Sequence, residues 1–404
     1  MILFSKMVFT MKTFIIIFSI GLVLVYTGCD VFVRPPSEPR LELLTSSEFT
    51  SYAWLDDLSF EGVEEAVAQS IEYYRKLDAS KKFQYGAITY SPEDMAASLG
   101  LFLKIVKNFQ GRERMEQLRE KFLFYESKNA EGNAFFTGYY EPLLDGSFIP
   151  TDKFPEPVYE TPDDLIEVDL GQFSEKWKNE KIVGRLDDNK LVPYDSREEI
   201  VYYNTLKERA KPIAYVNEIE LFFLQIQGSG LIRLSDGRIK RVNYAQKNGH
   251  PYTAIGRVLK DKISPDEMSL QTIKEYLYAN PDEVRNILAY NKSYTFFREV
   301  EEGPLGNIEV PLTPNRSVAM DSRLIPGGSL AFIETELPVF DNDQIAEWKP
   351  VKRFVLVQDT GGAIRDHGRV DIFFGHGRQA ELLAGHLKQR GRVFIIVARK
   401  EFLL

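Results

Sequence analysis

The hydrophobic period of this chain changes three times, and that sequence of changes narrows the fold. Between Phe60 and about Ser127, apolar residues recur at helical spacing in EGVEEAVAQSIEYYRKL, MAASLGLFLKIVKNF and MEQLREKFLFYES, so this part is expected to be helical. Ser91-Pro92-Glu93-Asp94 has the form of a helix start with Pro at the first helical position. From Asn133 to Tyr244 the texture turns to aromatic and β-branched runs broken by Gly, Pro, Asn and Asp. There ELFFLQIQGSGLIRLSDGRIKRVNY predicts strands joined by turns, with a hairpin at Asp236-Gly237. Helical signals return from Gly249 to Asn291: SPDEM (Ser264 to Met268) and NPDEV (Asn280 to Val284) each offer a cap, a first-turn Pro and a Glu. From Val310 onward, short strands and glycine turns surround one helix, Gln379 to Arg390, closed by Gly391 and followed by the strand RVFIIVA. A β-only middle between two mixed parts is the pattern expected of one domain inserted into another.

A chain of 404 residues is long enough for two or three domains, and 44% hydrophobic with 27% charged residues makes it globular. The formal net charge of -9 argues against a nucleic-acid partner, because no basic excess is available to neutralise phosphates. The sole cysteine, Cys29, rules out an intramolecular disulfide. Its setting is informative. Lys12 precedes the thirteen-residue apolar run Phe14 to Tyr26, and Thr27-Gly28 lead directly into Cys29. Such a run suits a signal-peptide core and is shorter than the roughly 18 residues of a membrane span. The arrangement resembles a bacterial lipoprotein signal, which implies a leader over residues 1–28, lipidation of Cys29 and a membrane as partner through that lipid. The Pro-rich stretch DVFVRPPSEPRLELL then reads as a tether over residues 29–45.

Several motifs suggest chemistry and fall short of it. GHGRQA (Gly375 to Ala380) fits G-x-G-x-x-A, but the sequence runs only to Leu404, without the further βα units of a dinucleotide fold. His367, His376 and His386 are spaced by 9 and 10, matching no zinc pattern. No metal and no cofactor is expected. Ser229, in QGSG, lacks the G-x-S-x-G elbow of a serine nucleophile. In a strand, Gln225 and Gln227 would share one face just before that turn, where their amides suit a polar ligand such as a sugar. FTGYYEP (Phe136 to Pro142) sets Thr137, two tyrosines and Glu141 around a glycine. That composition suits a pyranose ring, and it is equally common in a plain β core.

Asp371 stands between Val370 and Ile372 in an otherwise apolar strand. By alternation Asp371, Phe373 and Gly375 share one face, and Val370, Ile372 and Phe374 the other. A carboxyl on a half-buried aromatic face has a raised pKa, as a general acid needs. A buried aspartate satisfied by backbone amides is the competing account. Asp359, followed by Thr360-Gly361-Gly362, fits that second account better.

In order along the chain, FTGYYEP, FFLQIQGSGLIRLSDG, YAQKNGHPYTAIGRVL, PLTPNRSVAMDSRLIPGG and DTGGAIRDHGRVDIFFGHGRQAELLAGHLKQRG resemble the membrane-bound lytic transglycosylase A family of bacterial cell-wall enzymes. The last two resemble its "3D" domain, whose three aspartates fall on Asp321, Asp359 and Asp371. The loop Ile364 to Val370 is one residue longer than the family's usual spacing. The resemblance implies a mainly β fold with helices: a double-psi β-barrel over residues 46–135 and 245–404, helical in its N-terminal part, with a second β domain inserted over 136–244. It implies Asp371 as the catalytic acid, flanked by Asp359 and Asp321, with Thr137, Tyr139, Gln227 and Ser229 in a sugar groove. The implied substrate is peptidoglycan glycan strands, cleaved without hydrolysis at the periplasmic face of a membrane, the outer membrane before the inner. A hydrolytic muramidase using Glu141 and a non-catalytic wall-binding lipoprotein are the alternatives.

Overall fold

A computed structural model of the chain describes residues 40–403, apart from Ala53 and Asn179. The expected leader, Cys29 and the first part of the expected tether lie outside the described residues. Arg40–Leu43 is already a strand, paired with Phe122–Lys128. Ordered structure therefore begins before residue 46.

Six strands form the central element: β1 (Ala134–Glu141), β2 (Ser317–Ala319), β3 (Leu330–Asp341), β4 (Gln344–Asp359), β5 (Arg369–His376) and β6 (Gln389–Ala398). Their order is β1-β5-β2-β4-β3-β6, and β6 pairs back to β1. The ring is thus closed, which removes the exposed edges of an open sheet. β1–β5 and β2–β4 are parallel, the other pairs antiparallel. Strand Phe122–Lys128 extends the sheet from β6.

Helices Val63–Lys76 and Pro92–Asn108 cover the barrel, and their apolar stripes join Trp54, Phe332, Phe354 and Phe394 in one core. The second helix starts where Ser91 predicts. Ser91 Oγ accepts from Asp94 N at 3.1 Å, and Asp94 Oδ2 accepts from Ser91 N at 2.7 Å. The third expected helix ends at Lys121, because Phe122 to Ser127 is buried on both faces as a strand.

A second, six-stranded sheet runs in the order Thr295–Glu299, Ile239–Lys247, Ser229–Leu234, Leu143–Ser147, Pro212–Val216, Glu156–Tyr159. Asp236-Gly237 forms the expected hairpin. Pairing in this sheet extends past residue 244, since Thr295–Glu299 closes its edge. One expectation fails outright: ELFFLQIQ is not a strand but helix α1 (Glu218–Gln227). Leu221 and Leu224 face the core of the second sheet, while Ile219, Phe222 and Phe223 face a cluster with Ile255, Leu259 and Leu277. A helix wedged between two cores is apolar nearly all round and hides its period.

Two other boundaries shift. SPDEM makes only a turn, and the helix begins after Ser269, which caps Leu270–Ala279. Helix α2 spans Arg378–His386, shorter than expected, and Gly391 lies within β6. A Cβ on Gly391 would stand 2.1 Å from the Glu334 carbonyl oxygen, so this glycine serves strand approach and is not a helix cap.

Candidate active site

The barrel brings the motif residues together through its register. Asp371 on β5 lies opposite Thr137 on β1 and opposite Ala319 on β2, and Ala319 in turn lies opposite Asp359 on β4. The expected alternation along β5 holds. Val370, Ile372 and Phe374 enter the main core, whereas Phe373, on the Asp371 side, joins a separate cluster of Tyr139, Leu312, Ala319 and Ile364. The alternation runs to Phe374; the pairing with β1 shifts register after Phe373, and Gly375 takes a positive φ of 87°. Gly138 is required between Thr137 and Tyr139, because a Cβ there would meet the Phe374 ring at 2.3 Å.

Asp371 is partly exposed and receives one hydrogen bond: Thr137 Oγ1 donates to its Oδ1 at 2.5 Å. Among the described residues its Oδ2 has no hydrogen-bond partner. Burial raises its pKa, against the opposing pull of Arg369 and the Thr137 hydroxyl. Asp359, two strands away, is saturated instead. Its Oδ1 accepts from Thr360 N at 2.8 Å and Asn307 N at 3.0 Å, and its Oδ2 accepts from Tyr139 Oη at 2.8 Å. Burial, with the Asp371 charge as a lesser cause, still pushes Asp359 up to about 6 against these bonds.

The third motif aspartate does different work. Asp321 is fully buried and binds Arg323 Nη2 at 2.5 Å, Arg323 N at 3.1 Å and Asp366 N at 3.0 Å. Burial would raise its pKa, but the Arg323 side chain and these amides hold it below the ordinary value. It is an ionised anchor for the loop between Asp359 and β5, and it makes no hydrogen bond to either of the other two. The far end of that loop is held where Gly368 N donates to Ser127 Oγ at 3.0 Å.

The remaining expected residues divide. Tyr139 is 8% exposed, its ring tilted against Phe373, so it supports Asp359 from beneath. Gln227, the last residue of α1, accepts from Tyr140 N at 3.1 Å and so joins α1 to β1 three residues past Thr137. Gln225 does not share its face: it is buried, bonded to Arg197 Nη1 at 2.5 Å. Ser229 is buried at the start of its strand, one residue past Gly228, which ends α1 in the left-handed region. No cluster of three or more His, Cys, Asp or Glu able to hold a metal occurs among the described residues. The signal that sequence reading missed is Asn307, whose contribution is a backbone amide and so leaves no trace in residue type.

Glu141, the rival acid, sits opposite His376, four residues along β1 from Thr137. That offset is about 13 Å. Glu141 is buried and accepts from Arg241 Nε at 3.0 Å. By strand spacing, Asp359 and Asp371 lie roughly 10 Å apart at the backbone. A hollow of about 670 Å³ between the N-terminal helices, lined by Tyr74, Arg75, Glu93, Lys104 and Phe402 among others, is bordered by none of these carboxylates.

Comparison with known proteins matches residues 135–298 to the MltA specific insert domain and residues 316–397 to the 3D domain. The chain is 32% identical over 277 residues to the membrane-bound lytic murein transglycosylase A of Escherichia coli K12, covering 67% of each. A structure of MltA from Neisseria gonorrhoeae is 30% identical with a TM-score of 0.60, and the match covers 80% of this chain and 96% of that one. This chain belongs to the membrane-bound lytic murein transglycosylase A family. It is an enzyme of that family, with the family's mainly β fold. A lytic transglycosylase structure from Agrobacterium tumefaciens matches over 89% of this chain and 98% of its own, at 29% identity and a TM-score of 0.71. E. coli MltA with bound chitohexaose matches at 25% identity and a TM-score of 0.63, covering 89% and 95%.

Proposed function

We propose that this protein cleaves the β-1,4 bond between N-acetylmuramic acid and N-acetylglucosamine in peptidoglycan, with Asp371 as the only reacting protein group. Asp371 protonates the glycosidic oxygen as the C1–O bond breaks. Its carboxylate then takes the proton from the muramic C6 hydroxyl as that oxygen bonds to C1, closing a 1,6-anhydro ring and restoring the acid. Glycosidases that use water need a second carboxyl, placed about 5 to 9.5 Å from the first. Here the substrate's own hydroxyl replaces it, and intramolecular geometry supplies the reactant.

The observation that carries the reading is the inequality of the carboxylates. Burial raises Asp371, Asp359 and Glu141 alike, but of these three only Asp371 keeps an oxygen free of hydrogen bonds without a direct ion pair to a cation. Asp359 has both oxygens occupied, and Glu141 is paired with Arg241. The chitohexaose bound to E. coli MltA supports a β-1,4-linked amino-sugar ligand. In this reading Thr137 and Gln227 line the sugar groove, Ser229 borders it, and Tyr139, Asp359 and Asp321 hold its walls. Mass spectrometry of digested murein tests the reaction: anhydro-muramic ends are expected, and reducing N-acetylmuramic ends would overturn it.

The barrel, of the double-psi kind, carries the second sheet as an insertion that leaves after Glu141 and returns before Ser317. Lipidation of Cys29 holds the enzyme at the periplasmic face, with the outer membrane favoured. No described helix is long and apolar enough to cross a membrane. Cys29→Ser should move the protein from the membrane fraction to the soluble one; unchanged fractionation would count against the anchor.

A further inference from the structure

The longer loop delivers a residue whose bonds no step above uses. Arg369 opens β5, two residues before the acid, and its guanidinium packs 5.2 Å from the centre of the Phe135 ring. Its Nη1 donates to the Val370 carbonyl at 2.8 Å, and its Nη2 donates to Thr137 Oγ1 at 2.7 Å. That same oxygen is 2.5 Å from Asp371 Oδ1. Arg369 has no acceptor atom and stays protonated, so toward this arginine the hydroxyl can only accept. A threonine hydroxyl has a single hydrogen. With one of its two lone pairs engaged by Arg369 and the guanidinium charge beside it, the hydroxyl is biased to point that hydrogen at Asp371.

We propose that Arg369 is a positioning residue for the acid: it fixes the Thr137 hydroxyl as a donor to Asp371 Oδ1, which leaves Oδ2 as the oxygen that gives and takes the proton. Without Arg369 the hydroxyl can rotate and accept a hydrogen from the protonated acid instead, burying the proton in a bond within the protein. The relay therefore acts on both halves of the reaction. It keeps the proton of the acid on the unbonded oxygen, and it stabilises the carboxylate that must later act as base. The inference rests on Asp371 being the acid, as proposed above.

The groups bearing on Asp371 are Arg369 on its own strand, Thr137 and Tyr139 on β1, and Asp359 on β4. Of these only Arg369 carries positive charge. Removing it or its hydroxyl relay should make the acid harder to ionise and shift the alkaline limb of the kcat/KM profile upward.

The test is the pH profile of murein cleavage by purified variants whose folding is checked by circular dichroism. Arg369→Met should move the alkaline limb up by about one unit and cut kcat/KM at the optimum roughly tenfold, the scale of one charge-assisted hydrogen bond. Thr137→Val should do much the same, Thr137→Ser should keep the wild-type limb, and Arg369→Lys, which keeps the charge, should return most of the shift. The Arg369→Met, Thr137→Val double variant should be little worse than either alone, because both break one relay. An unmoved limb in folded Arg369→Met, or full additivity in the double variant, overturns the role of Arg369. If Arg369→Met does not fold, equal limbs for Thr137→Val and Thr137→Ser overturn it. Asp371→Asn separates the two levels: cleavage surviving there removes the acid itself and this inference with it, whereas its loss beside an unmoved Arg369→Met limb removes the inference alone.

Discussion

Asp56 and Asp371 are both aspartates packed into this barrel, and they end in opposite states. Asp56 lies under the N-terminal helices, fully buried, bound by Arg316 Nη1 at 2.7 Å and Nη2 at 2.8 Å. It also accepts from the amides of Leu58, Phe60 and Phe354. Burial works against its ionisation, and Arg316 more than offsets that, so its pKa falls. Asp371, also held against apolar residues, has one hydroxyl donor and a guanidinium one bond away, and its pKa rises. Depth alone does not make an acid. At Asp56 a guanidinium bound through two nitrogens outweighs burial, whereas the three neutral donors at Asp359 and the single hydroxyl at Asp371 do not.

The sharpest way to break this contrast is to neutralise each aspartate. Asp371→Asn should lower murein cleavage by about 10²- to 10⁴-fold, the usual worth of a positioned acid, with stability unchanged or slightly higher. Retained cleavage with an intact fold would show that Asp371 is a second anchor. Asp56→Ala should do the reverse. Stranding Arg316 in the core should cost about 3 to 5 kcal/mol in denaturant unfolding, while the activity of the remaining folded enzyme persists.

Stability against pH sharpens the comparison further. Asp359 binds its proton more tightly folded than unfolded, from the ordinary 3.8 to about 6. The native state therefore holds more protons across that window, and stability falls as pH rises through it. Asp56 and Asp321 are shifted down, so their contribution is present above their ordinary pKa and is lost as pH falls below it. Thermal unfolding from pH 3 to 8 should show both slopes, and Asp359→Asn should flatten only the upper one, by an amount on the order of 1 to 3 kcal/mol. An unchanged upper slope would place the titrating group elsewhere. The smallest effect belongs to Glu141→Gln, which keeps an acceptor for Arg241. Less than about a tenfold loss of activity is expected, well below that of a lost acid.

The same distinction explains what could be read in the sequence. Asp371 was legible because a strand period of two sets a carboxyl against apolar neighbours, and that alternation is a local property. Whether such a carboxyl is an anchor or an acid depends on donors from far along the chain: Arg316 is 260 residues from Asp56, and Thr137 is 234 residues from Asp371. Pattern alone leaned towards a structural carboxyl, and only the order of the family motifs favoured the acid. Asp321 shows the cost, since its loop-holding role depends on Arg323 and on an amide at Asp366 that no spacing announces. Elements failed where burial was two-sided. Glu218–Gln227 and Phe122–Lys128 are apolar on opposite faces, so the first hid a helical period and the second hid a strand behind a helix. Ser91 and Asp236-Gly237 succeeded because caps and tight turns are decided by neighbours in sequence.

The closure of the ring bears on when this enzyme becomes dangerous. β1 is made early in synthesis, but it pairs only with β5 and β6, which are made last. A chain cut short before Asp371 lacks the acid proposed above, and one cut before Gln389 lacks the strand that closes the barrel onto β1. On the proposed role of Asp371, a partly made copy of this wall-cleaving enzyme stays inactive until its final strands are in place.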